Sequence, residues 1–215
     1  RLEKGAAEAY WKAANTGSAQ DFDTYARLQT ELKQLHSDRA RYARLKALLE
    51  RGDVLSPTTR RSLEVAQLAF RENQMDPALI AKLVKSASDI EQVFNTFRIT
   101  VKGETLTNND ALERMAAETN SAKREDLWKA LKAVAPQVAP KLVDLARMRN
   151  EAARSMGFAN YWDMAIRLQE HDPATLIALF DDLARATDQP FRNMKARLDA
   201  ELAGRFRIEP ASMRP

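Results

Sequence analysis

Only two histidines, His36 and His171, occur in the 215 residues, and there is no cysteine. A catalytic zinc ion needs several nitrogen, thiolate or carboxylate ligands converging on one point. The most compact device is H-E-x-x-H, which puts two imidazoles on one helix face. Neither histidine belongs to such a pair, and Glu170-His171 are simply neighbours at the end of a helical pattern. Without thiolates, a site within this chain would have to combine both histidines with carboxylates, so the sequence assigns no metal ligand here. Asp181-Asp182 and Glu125-Asp126 are adjacent carboxylates. Neighbours on a helix point about 100° apart, so neither couple works as a general acid and base. No G-x-S-x-G and no glycine-rich phosphate loop is present. The expectation is therefore no catalytic residue in this chain, and its substrate-binding residues stay unassigned.

The densest charge is basic: Arg39, Arg41, Arg44, Lys46, Arg51, Arg60 and Arg61, with Tyr42 among them. Such a patch could sit on phosphates, which makes nucleic-acid binding through residues 39 to 61 one alternative reading. Glu50 and Asp53 interrupt it, and no nucleic-acid motif accompanies it, so no nucleic-acid partner is expected. Overall, 34 basic residues stand against 30 acidic ones, a net charge of +4. Solvated helix faces account for that mixture more simply than a polyanion partner does.

The elements that must carry these groups are helical. Apolar residues make up 45% of the chain, and only six glycines and eight prolines interrupt it. That composition predicts a mainly α fold, a multi-helix bundle. A short helix is expected over 3–14, ended by Asn15-Thr16-Gly17. Ser18 and Asp21 then open a long arm toward Glu50, with Phe22, Tyr25, Leu28, Leu32, Leu35, Tyr42, Leu45 and Leu49 on its buried edge and Gly52 at its end. This arm, 19–50, also supports a second alternative, a stand-alone helical module for protein–protein interaction. Ser56-Pro57 and Asp76-Pro77 start helices near 57–73 and 77–96. Phe97-Arg98-Ile99-Thr100-Val101 against Glu104-Thr105-Leu106, around Lys102-Gly103, reads as one small β-hairpin near 97–106 that must lean on helices. Thr107 to Asp110 and Asn120-Ser121 cap two more helices, and Pro136 and Pro140 predict a kink or a restart. Asp172-Pro173 opens a last long helix with Leu176, Ile177, Leu179, Phe180, Leu183 and Ala184 buried, kinked near Pro190 and ending by Gly204. No fixed-period repeat exists, which argues against a repeat array.

Residues 141–168 organise the rest. Leu142, Leu145, Met148, Ala152, Ala153 and Met156 recur at steps of three and four, forming one stripe. Gly157 suits a helix end, Asn160 suits the next N-cap, and Phe158, Tyr161 and Trp162 plug the corner. The wording of this stretch, from Leu142 through Arg149-Asn150-Glu151-Ala152-Ala153-Arg154 to Gly157-Phe158 and Asn160-Tyr161, resembles zinc peptidases of the angiotensin-converting-enzyme-like and oligoendopeptidase F type (gluzincins). Glu8-Ala9-Tyr10-Trp11 to Asn15-Thr16 and Ser121-Ala122-Lys123-Arg124-Glu125-Asp126-Leu127-Trp128 resemble two further stretches of the converting-enzyme branch, in the same order.

That resemblance implies an N-terminal fragment of a zinc metallopeptidase, of the peptidyl-dipeptidase class before others, hydrolysing short peptides. Residues 1–96 would form a helical lid or arm, and 97–215 the hairpin plus a helical cleft wall. It implies zinc in the parent enzyme, held by H-E-x-x-H and a downstream glutamate beyond Pro215, with none bound by this fragment. Its partners would be short peptide substrates and the C-terminal catalytic part of the same polypeptide. In converting enzymes a tryptophan near this point is followed by an arginine tied to chloride binding, but Asp163 follows Trp162 here. The difference puts chloride activation in question and leaves dipeptidyl release against endopeptidase action open. No run of about 20 apolar residues exists, so no membrane span is expected. The chain reads as soluble, with the compartment open between cytoplasm and periplasm or secretion after signal-peptide removal.

Overall fold

The computed structural model describes residues 1–51 and 56–212. Gly52 and Asp53, invoked above as a helix end and a break in the basic run, lie outside the described residues. The fold is mainly α with one small antiparallel hairpin, as the composition predicts. The chain divides into two compact units, one of Arg1–Thr96 with Pro136–Pro173, the other of Phe97–Ala135 with Ala174–Pro215.

In the first unit α1 (Leu2–Thr16) turns at Gly17 into α2 (Ala19–His36), and the two pack together, with Ala6 and Ala13 buried. Ser18 caps α2 by accepting the Asp21 amide at 3.4 Å. The arm is not one helix to Glu50. Asp38 leaves helical geometry and accepts the Arg41 amide at 3.0 Å, so α2 stops at His36 and α3 (Arg39–Glu50) begins. A side chain that satisfies free amides competes with helix continuation, and here the cap wins. Helix α4 (Pro57–Glu72) packs on α3, and α5 (Pro77–Thr96) packs on α2. Their starts are Ser56, bonded to the Thr59 amide at 3.2 Å, and Asp76, bonded to the Ala78 amide at 2.7 Å.

A break at 133–134 precedes α8 (Ala135–Ser155), which contains both Pro136 and Pro140. Only the C-terminal part of its predicted stripe is covered: Leu145, Ala152 and Ala153 are buried, whereas Leu142 is exposed. At its end the Phe158 amide bonds Ala153 O and the Gly157 amide bonds Arg154 O, with Gly157 at φ 88°. This is the Schellman closure, which needs a left-handed residue that glycine supplies without steric cost. Asn160 then caps α9 (Tyr161–Leu168) at the Asp163 amide, 2.9 Å. Phe158, Ala153 and Met164 form a buried cluster at this corner, while Trp162 stays exposed. Replacing Asn160 with alanine is expected to cost about 1 kcal/mol of stability, read by urea denaturation, because the N-terminal amides of α9 lose their acceptor.

In the second unit β1 (Ile99–Val101) pairs with β2 (Glu104–Leu106), Ile99 opposite Leu106. Lys102 and Gly103, at φ 53° and 87°, make the tight turn. Two strands are marginal alone, and these bury Ile99 and Leu106 against Ala111 of α6 (Asn108–Ala117) and Leu127 of α7 (Ser121–Lys132). Thr107 and Asp110 form a complete capping box at the start of α6. Helix α10 (Pro173–Phe206) runs continuously through Pro190 and two residues past Gly204. The burial expected along it fails: Leu176 is half-buried, and Ile177, Leu179, Phe180, Leu183 and Ala184 are exposed. Phe191, Met194 and Leu198 continue the bare apolar series, and Ala203 is the buried hydrophobic residue of the helix. Periodicity identified an apolar face, but nothing among the described residues covers it.

Candidate binding cleft

Within the first unit, five helices (α2, α4, α5, α8 and α9) and the turn between α4 and α5 line a cleft of about 210 Å³. Helix α2 contributes Tyr25, Gln29 and Lys33, spaced one turn apart so that they share a face. Helix α5 contributes Ile80, Val84, Ser88 and Glu91 along one stripe, α8 contributes Arg149, and α9 contributes Tyr161 and Met164. Ile80 and Met164, each 1% exposed, make an apolar floor.

Glu91 is the unusual group. One of its carboxylate oxygens, Oε2, is buried and meets no hydrogen-bond donor among the described residues. Burial pushes its pKa up, and the positive charge of Arg149 opposes that push. Arg149 does not close an ion pair onto Glu91; its guanidinium lies over the Tyr161 ring, 5.0 Å from the centroid. Tyr161 is fixed in turn by its own amide, which donates to Asn150 Oδ1 at 2.9 Å. Burial also raises the Tyr25 phenol, helped by Glu91 and then by Tyr10, whose ring centroid is 5.1 Å away. Ser88 donates its hydroxyl to Phe22 O at 3.4 Å, so it is engaged in joining α5 to α2. The cleft thus offers an apolar floor, aromatic walls and one acceptor without a donor, which is binding chemistry.

The raised Glu91 pKa has a signed consequence. The folded state holds this proton more tightly than the unfolded chain, so the stability the group contributes is present at low pH and is lost as pH rises through the folded pKa. The unfolding midpoint of Glu91→Gln minus that of the wild type is therefore expected to grow between about pH 4 and 7. A difference that shrinks over that range would contradict burial of the charge.

The residues first weighed for chemistry lie elsewhere. The ring of His36 packs edge-on to Phe70 at 5.2 Å, and His171 is exposed in the turn after α9. Among the described residues no group of three or more His, Cys, Asp or Glu side chains could hold a metal ion. Asp182 pairs with Arg185, and Glu125 pairs with Lys129 at 2.8 Å, as expected of solvated helix faces. In the basic run, Arg41 pairs with Asp38 at 3.3 Å and Arg61 forks onto both carboxylate oxygens of Glu170. Glu170 sits at φ 65°, the left-handed end of α9.

Asp163, where the resemblance calls for arginine, is held by local structure: it accepts the Ala159 amide at 3.4 Å and pairs with Arg167 at 2.8 Å. Glu91 was legible only as an acidic residue on an otherwise apolar stripe, eleven residues from Ile80 and three from Ser88.

The family model for angiotensin-converting enzyme, a peptidase family, matches residues 2–210. The chain belongs to that family. No curated protein and no solved structure matches it. Membership supports a peptidase role with peptides as substrates. No helix among the described residues is long and apolar enough to cross a membrane.

Proposed function

We propose that this chain is the N-terminal part of a zinc-dependent peptidase that hydrolyses short peptides, by peptidyl-dipeptidase or oligopeptidase action. In this reading residues 1–96 serve as lid and arm, and 97–215 as hairpin and cleft wall. The catalytic zinc and its ligands belong to another part of the same polypeptide. The family match over residues 2–210 carries the proposal. One further observation supports it. The apolar series on α10 is bare, with Phe180 and Phe191 more than half exposed at 58% and 54%. A contiguous apolar face of this kind is what a partner surface would cover.

The test has two arms. The coding sequence following Pro215 in the parent gene is expected to encode H-E-x-x-H and a downstream glutamate; several hundred codons without them would remove the zinc-peptidase reading. The purified 215-residue chain is expected neither to retain zinc after dialysis nor to cleave a fluorogenic short peptide. Unaided hydrolysis would overturn the division of labour between this part and the rest. Chloride dependence of the parent, measured as activity against chloride concentration, would decide what Asp163 implies.

A further inference from the structure

We propose that the cleft over Glu91 binds a primary ammonium group carried on a short apolar chain. This goes beyond the peptidase reading and requires no hydrolysis.

Glu91 presents an unmet acceptor. A buried carboxylate oxygen without a donor is costly, and a cation bringing N–H groups into the cavity relieves that cost with a charge-assisted hydrogen bond. Oε2 of Glu91 is in this state, with no donor among the described residues. The resident cation that would most simply fill the role, Arg149, attracts Glu91 but is stacked on Tyr161, 5.0 Å from the ring centroid. Lys33, the other base in the lining, forms no ion pair with Glu91 among the described residues, and Oε2 of Glu91 meets no donor from it.

The remaining surfaces define the rest of the ligand. Ile80, Val84 and Met164 favour methylenes over water, and the Tyr25 ring offers a face of the kind that attracts ammonium ions. The volume of about 210 Å³ accommodates a short group. Two sources share this chemistry, a free small amine and the amino terminus or lysine side chain of a peptide.

Isothermal titration of the protein with n-butylammonium chloride, against matched 1-butanol, tests the idea. Saturable binding of n-butylammonium is expected, weakened at least tenfold for 1-butanol, which has the same chain without the charge. Glu91→Gln is expected to lower ammonium affinity at least tenfold while keeping the helical circular dichroism of the wild type. Equal affinity for the amine and the alcohol, unchanged affinity in Glu91→Gln, or no saturable binding would each overturn the proposal. The alcohol comparison needs no variant, so the test holds even if Glu91→Gln fails to fold. Competition by tri-alanine but not by acetylated tri-alanine would identify a peptide amino terminus as the source. Competition by acetyl-lysine amide would identify a lysine side chain, and competition by none of the three a free amine.

Discussion

Truncating Ile80 to alanine is expected to destabilise the first unit by about 2–5 kcal/mol, the range for deleting a fully buried branched side chain. Ile80 is 1% exposed on α5 and forms the floor of the Glu91 cleft. Removing its methyl and methylene groups forfeits their transfer free energy and enlarges a cavity whose other walls belong to different helices. Urea denaturation followed by circular dichroism reads the loss. Ile177→Ala supplies the contrast. Sequence periodicity alone would rank the two isoleucines together, but Ile177 is 49% exposed on α10. Its truncation should shift stability by no more than about 0.5 kcal/mol. Similar losses at both sites would mean that α10 is covered in solution.

Substituting Gly17 with alanine should be the most damaging methyl addition at any described glycine. Gly17 closes α1 at φ +66°, where its amide bonds Ala13 O at 2.9 Å. A Cβ there would lie 2.8 Å from Cγ2 of Thr96. Two penalties combine: the left-handed conformation, about 1–2 kcal/mol for a residue with a Cβ, and the overlap with Thr96. A double-mutant cycle separates them. Thr96→Ser in the Gly17→Ala background removes the obstructing methyl and should recover the steric part only. Gly157→Ala is the reference, because that position has φ +88° with nothing within 4 Å of the added Cβ, leaving only the backbone penalty. Equal thermal shifts for Gly17→Ala and Gly157→Ala would refute the contact with Thr96.

Most helix starts were legible because capping chemistry is local. Ser18, Ser56, Asp76, Thr107, Asn120 and Asn160 lie at helix starts, each satisfying an amide within three residues. The hairpin turn was legible for the same reason, since Lys102-Gly103 carries its own backbone preference. Even the divided arm follows the rule: Asp38 was available as a cap, but the apolar spacing on both sides of it suggested a single helix. Burial was a different matter. Leu142 and Phe180 occupy apolar faces as regular as those of Leu145 and Val84, yet the first two are exposed and the second two buried. A periodic stripe states that a face is apolar; only long-range packing states what lies on it.

What the residues determined on their own was therefore the helical class, the positions of the caps and turns, and the family, because each rests on neighbours in the chain or on the wording of short segments. The tertiary structure alone decided that Glu91 of α5, Arg149 of α8 and Tyr25 of α2 share one cavity. The raised pKa of Glu91 and its unmatched oxygen come from desolvation inside a cleft whose walls, from Tyr25 to Met164, are drawn from distant parts of the chain. Desolvation depends on what is packed around a group in space, and no local pattern encodes such an environment.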